Sequence, residues 1–123
     1  MTRILIVEDQ EDNRAILRDL LTAHGFAYIE ATNGEEGVAM AAREKPDLIL
    51  MDIQLPVMDG YEAMRRIKGN AELRAIPIIA VTSYALSGDE AKAKAAGCDA
   101  YVTKPFSPRQ LLAKVREYLP PGS

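Results

Sequence analysis

The sequence predicts a single α/β domain built on a parallel sheet, and three observations carry that prediction. The apolar runs Ile4-Leu5-Ile6-Val7 and Leu48-Ile49-Leu50-Met51 are continuous rather than alternating, as strands covered on both faces are. Segments of helical period stand between successive runs, so the strands are joined by right-handed crossovers. At 123 residues, 48% hydrophobic and 27% charged, the chain suffices for one well-filled core and is too short for two.

Taken in order, the first run stops at Glu8-Asp9. The helix after it presents Ala15, Ile16, Leu17, Leu20 and Leu21 to the core and closes at Gly25. Ala27-Tyr28-Ile29-Glu30-Ala31 alternates weakly, as an edge strand does. Asn33, with Glu36 three residues on, opens a second helix through Val38, Met40 and Ala41. Pro46 parts that helix from the central strand, and Asp52 follows the strand directly. Asp59 and Glu62 repeat the capping pattern before a helix carrying Tyr61, Met64 and Ile67.

Pro77-Ile78-Ile79-Ala80-Val81 is the fourth strand, followed by Thr82. Ser87 with Glu90 caps a fourth helix whose body, Ala91-Lys92-Ala93-Lys94-Ala95-Ala96, offers only methyl groups for burial. A buried methylene contributes about 0.8 kcal/mol, so alanines anchor far less than leucines and this helix is expected to be the loosest. After Gly97 come a short fifth strand, Ala100-Tyr101-Val102, and then Thr103-Lys104. Ser107, Pro108 and Gln110 start the last helix, which uses Leu111, Leu112, Val115 and Leu119. Residues 1–119 read as one domain and 120–123 as a frayed C-terminal tail.

Composition narrows the function. A net charge of -3 and a pI near 5.2 lack the basic stripe of a nucleic-acid surface. A single cysteine, Cys98, excludes an internal disulfide and a cysteine-based zinc site, and reads as a small hydrophobe. No apolar run reaches the length of a membrane span and the N-terminus is no signal peptide, so a cytoplasmic location is expected. His24 at the end of the first helix, the methionines, and the cations Arg65, Arg66 and Lys68 read as ordinary structural or solvated residues.

The chemistry collects just past the strands. Glu8 and Asp9, Asp52, Thr82 and Lys104 follow four of the five strands, hence share one rim of the sheet. Ligand crevices of open α/β sheets lie outside the carboxyl ends of the strands. Any one of these acids is also an ordinary turn residue. Three converging carboxylates repel one another, and a hard cation such as Mg2+, which prefers oxygen ligands, removes that cost. Lys104 suits an anion, Thr82 offers a hydroxyl donor, and aspartate is a known covalent acceptor of phosphate. The set describes a site for a phosphoryl group carried on a carboxylate.

Glu8-Asp9, Met51-Asp52-x-x-Leu55-Pro56-x-Met58-Asp59-Gly60, Thr82-Ser83 and Lys104-Pro105-Phe106 together resemble the receiver domain of two-component response regulators. The resemblance covers essentially the whole chain, with every motif in order. Val7-Glu8-Asp9-x-x-x-Asn13-Arg14 and Met51-Asp52-Ile53-Gln54-Leu55-Pro56 are most similar to single-domain receivers of the DivK type and to those of hybrid kinases. It implies a flavodoxin-like (βα)5 three-layer sandwich with strand order 2-1-3-4-5. It also implies that Asp52 takes a phosphoryl group from a phosphohistidine on a histidine kinase or histidine phosphotransfer protein. Asp9, Asp52 and the backbone carbonyl of Gln54 would hold Mg2+ (Mn2+ as substitute), with Glu8 acting through water.

By the same resemblance Lys104 pairs with a phosphoryl oxygen, Thr82 turns inward to another, Tyr101 is the switch aromatic, and the Lys104-Pro105 bond is cis. The fourth helix, fifth strand and fifth helix would form the face for a downstream protein partner, with Tyr84, Tyr101 and Phe106 on it. Gln54 and Tyr84 would tune phosphate lifetime. The chain ends after the fifth helix, so no DNA-binding or enzymatic output domain is expected, and the resemblance separately allows a monomer or weak dimer. Two rivals fit less well. A Mg2+-dependent phosphohydrolase of the haloacid-dehalogenase type carries a second Asp where Gln54 stands, and a nucleotide or flavin module would need a Gly-rich loop in place of Glu8-Asp9. A receiver cut from a hybrid kinase would share the same chemistry.

Overall fold

The computed structural model describes residues 2–82 and 89–119. Its elements alternate as β1 (Arg3–Val7), α1 (Glu11–Ala23), β2 (Ala27–Ala31), α2 (Gly34–Glu44), β3 (Leu48–Met51), α3 (Gly60–Gly69), β4 (Ile78–Thr82), α4 (Asp89–Ala96), β5 (Ala100–Thr103) and α5 (Pro108–Tyr118). All strand pairs are parallel and the sheet runs β2-β1-β3-β4-β5. The flavodoxin-like arrangement expected from the sequence is the one found.

The two faces of the sheet separate by the two-residue period of a strand. Ile4 and Ile6, Leu48 and Leu50, and Ile79 and Val81 point to one side, where Leu17 and Leu21 of α1 and Leu111, Leu112 and Val115 of α5 cover them. Leu5 and Val7, Ile49 and Met51, and Ile78 and Ala80 point to the other, under Ala41 of α2, Met64 and Ile67 of α3, and Ala93 and Ala96 of α4. Burial on both faces explains why these strands read as unbroken apolar runs.

Register then places the rim. Val7 pairs with Met51, and Met51 with Ala80, so β1 and β3 end level and Glu8 and Asp52 leave the sheet side by side. Ala80 pairs with Tyr101 and Thr82 with Thr103, which sets Lys104 one residue past the last pair.

Local signals mostly behave as read, with instructive differences. Asn33, Asp59 and Ser107 accept hydrogen bonds from the backbone N–H of Glu36, Glu62 and Gln110 respectively. Glu36 closes its loop on Thr32 rather than on the capping asparagine, and Glu62 turns away to Arg65 and Arg66. Ile16, expected on the buried stripe of α1, is 56% exposed, because Leu17 and Leu21 already fill the space against β1. Thr82 closes β4 rather than following it, and Leu119 is the C-cap of α5 rather than part of the helix. The expected Ser87 cap and the tail at 120–123 lie outside the described residues. Lys104-Pro105 is cis.

Candidate functional site

The rim is built by backbone before any side chain acts. The Glu8 N–H donates to Ala31 O at 3.1 Å and the Asp52 N–H to Val7 O at 3.0 Å, so both acids are pinned to the strand beside them. The Lys104 N–H donates to Thr82 O at 2.7 Å, which ties the end of β5 to the end of β4. Asp52 Oδ1 accepts from the Gln54 N–H at 3.2 Å, a local turn that orients the carboxylate into the crevice.

Glu8 is 1% exposed, and a buried carboxylate must be paired. Its Oε1 lies 2.5 Å from Lys104 Nζ and its Oε2 accepts from the Gln10 N–H at 3.1 Å. The same ammonium stands 3.5 Å from Asp52 Oδ2, so one cation bridges two acids that lie 44 positions apart in the chain. Asp52 is itself buried, and Asp9 is the most open of the three. Burial, a hydrogen bond with Glu8 and the charge of Glu8 push the Asp9 carboxyl above its usual range, with Lys104 pulling the other way.

Each of Glu8, Asp9 and Asp52 offers one oxygen, and the three oxygens all lie within 4.8 Å of one another. An all-oxygen set at that spacing, carrying more negative charge than Lys104 cancels, fits a small hard divalent cation. Beside it opens a cleft of about 490 Å³ bordered by Asp9, Gln54, Asp59, Tyr61, Thr82 and Lys92. Thr82 is fully buried at its inner wall.

The remaining expected residues fall as follows. Gln54 is exposed at the mouth of the cleft. Tyr101 lies half-buried on β5, its phenol pushed up by burial and by the charge of Asp89. Phe106, expected on the α4-β5-α5 face, instead leans toward α1, lining a groove with Asn13, Ile16, Leu17 and Pro105. The reason is the sheet's two-sidedness: α4 covers the opposite face. Tyr84 lies outside the described residues.

Three contributors escaped the sequence reading. Gly60 starts α3 so close to the acceptor that a Cβ there would sit 2.3 Å from Asp52 O. Val57 takes φ 69° in a tight turn closed by the Met58 N–H on Pro56 O at 2.7 Å. Arg14 donates from Nη1 to Glu8 O at 2.8 Å. The motifs carried Gly60 and Arg14 only as letters without a role, and nothing local distinguishes a valine at position 57.

Three carboxylates and a lysine gathered at the strand ends of a parallel sheet define a class of α/β domain with an acidic, cation-ready crevice rather than the Gly-rich phosphate loop of a nucleotide fold. The comparisons agree. Residues 4–116 match the response regulator receiver domain, and the chain belongs to that family. It is 45% identical over 116 residues to the polar-differentiation response regulator DivK of Brucella anthropi and 44% identical to DivK of Brucella ovis, each alignment covering 94% of both chains. The receiver domain of a Pseudomonas aeruginosa sensor histidine kinase, solved with a magnesium ion in its active-site cleft, superposes with a TM-score of 0.89 at 37% identity over 95% of this chain and 96% of that one. Chemotaxis protein CheY4 of Vibrio cholerae gives a TM-score of 0.89 at 28% identity, covering 97% and 99%. The protein is therefore a receiver domain of two-component signalling, similar to DivK, and a regulator rather than a metabolic enzyme.

Proposed function

We propose that Asp52 accepts a phosphoryl group from a phosphohistidine on a histidine kinase or histidine phosphotransfer protein. The observation that carries this reading is the cation bridge: Lys104 reaches both Glu8 and Asp52 where two neighbouring strand ends present three acids. The N–P bond of the donor breaks as an O–P bond forms to an Asp52 carboxylate oxygen, and the freed imidazole takes its proton from solvent. Little side-chain chemistry is needed beyond placement and charge compensation.

Asp9 and Asp52, with the carbonyl of Gln54, would hold Mg2+ directly and Glu8 would do so through water, Mn2+ being the substitute. When bound, the ion neutralises charge developing on the transferred phosphoryl oxygens. Lys104 would move its pairing from Asp52 to a phosphoryl oxygen, a role supported by its contacts to Asp52 and Glu8. Thr82, at the wall of the cleft, would donate its hydroxyl to another oxygen. Water entering past Gln54 would end the signal by hydrolysis, so the protein would catalyse only its own phosphorylation and dephosphorylation.

Readout would run through Thr82 and Tyr101 to the face formed by α4, β5 and α5, where a downstream protein docks. The slight anchoring of α4, which buries only Ala93 and Ala96 among its described side chains, supports movement there. We place the working domain at residues 1–119, acting in the cytoplasm as a monomer or weak dimer. Among the described residues no helix is long and apolar enough to cross a membrane.

The test is intact mass after incubation with acetyl phosphate and Mg2+. Wild type is expected to gain one phosphoryl group, while Asp52→Asn and wild type with EDTA gain none. Modification that survives in Asp52→Asn overturns the assignment.

A further inference from the structure

Both metal-facing carboxylates of the first loop hang from one peptide unit, the bond joining Glu8 to Asp9. Its preceding neighbour is fixed by the Glu8 N–H on Ala31 O, a sheet bond. Its own carbonyl is fixed by a side chain: Arg14 Nη1 donates to Glu8 O at 2.8 Å. Arg14 stands in the first turns of α1, and its side chain is only 12% exposed. Its Nη2 pairs with Glu11, while its Nε is buried 3.9 Å from Glu30 Oε2 without a hydrogen-bond partner among the described residues. A guanidinium that leaves a buried N–H unpaired in order to cap one carbonyl is held for that carbonyl, since an unmade buried hydrogen bond costs stability. Arg18 offers an internal contrast. It shares Glu11 and Glu30 with Arg14 and makes the same kinds of ion pair, yet has no bond to the loop.

We infer that Arg14 is a positioning residue for the metal site: by clamping the Glu8 carbonyl it sets the plane from which Glu8 and Asp9 project, and so sets Mg2+ affinity. The inference rests on the proposed metal role of those acids. Position and charge act with opposite signs here, which makes the idea sharp. If Arg14 mattered only as a nearby positive charge, its removal would strengthen binding of a cation. If it positions the loop, its removal weakens binding.

The experiment is calorimetric titration of the unphosphorylated full chain with MgCl2, for wild type, Arg14→Met, Arg14→Lys, Arg18→Met and Asp9→Asn, with thermal melts in EDTA alongside. Arg14→Met is expected to raise the Mg2+ dissociation constant about tenfold, the low end for losing a group that orients a ligand. Arg14→Lys, which keeps the charge without the rigid fork, is expected to fall between wild type and Arg14→Met. Arg18→Met is expected to lower the melting temperature while binding Mg2+ as wild type does. In acetyl phosphate assays the Arg14→Met variant should need more Mg2+ for half-maximal modification and reach the wild-type rate at saturation. Unchanged or tighter Mg2+ binding in a folded Arg14→Met or Arg14→Lys overturns the inference alone. Absence of Mg2+ binding by wild type, or full binding by Asp9→Asn, overturns the metal assignment beneath it.

Discussion

At the scale of single residues, the loop after β3 carries its cost at Val57. A β-branched side chain at φ 69° strains the backbone, and Val57 recovers nothing by packing, being 75% exposed. Val57→Gly is expected to raise stability by about 1 kcal/mol, strain relief outweighing the added freedom of the unfolded chain. Chemical denaturation measures it; a lower midpoint for the variant would remove the claim of strain. Cys98 illustrates the opposite case, a reactive group kept idle. Burial pushes its thiol up to about 11, so at neutral pH it is the small hydrophobe its sequence context implied. Gly60 is legible only in three dimensions, since the need for a missing Cβ arises from Asp52 O, which eight positions of chain separate from it.

At the scale of elements, the connection between α3 and β5 depends on one amine. Lys68 Nζ donates to Arg74 O at 3.0 Å, Ile76 O at 2.8 Å and Asp99 Oδ2 at 3.0 Å, and Asp99 in turn accepts from the Ile78 N–H. The sequence suggested a solvated helix face at this position, because a lysine on α3 carries no sign of what loop will pass over it. Lys68→Met would take this donor from two carbonyls and leave Asp99 with only the Ile78 N–H, and is expected to cost about 1–3 kcal/mol. Urea unfolding checks this, and acetyl phosphate modification of the folded variant should be unaffected. What was legible at this scale has a plain reason. Strand runs, Asn33, Asp59 and Ser107 act within a few residues of themselves, and α4 is poor in large side chains by composition alone. Exposure of Ile16 depended on which side of α1 the sheet came to cover, and the tilt of Phe106 toward α1 on neighbours distant in the chain.

For the molecule as a whole, stability and function pull against each other at the rim. Three carboxylates held this close repel one another, and the Asp9 carboxyl is raised, by burial first and then by Glu8 beside it. Its sign follows directly: ionised Asp9 destabilises the fold above its raised pKa, and protonation relieves that. Asp9→Asn is therefore expected to gain about 0.5–1 kcal/mol in EDTA, as active-site substitutions often do. Mg2+ at ten times its dissociation constant should stabilise wild type by about 1.4 kcal/mol and leave Asp9→Asn unmoved. Thermal melts with and without the ion decide it. The resemblance drawn from the motifs anticipated the family because the rim residues are each next to a strand end, and strand ends are what a sequence marks best.

The Lys104–Glu8 bond spans 96 positions of chain. A ribosome adding about 5–20 residues per second leaves Glu8 without its ammonium for roughly 5–20 s after it is made. During synthesis the nascent chain is thus an acid pair awaiting a counterion, with β5 still to come. Until β5 and the lysine after it are made, the strands up to β4 can pair while the Glu8 carboxylate lacks the Lys104 ammonium that pairs with it.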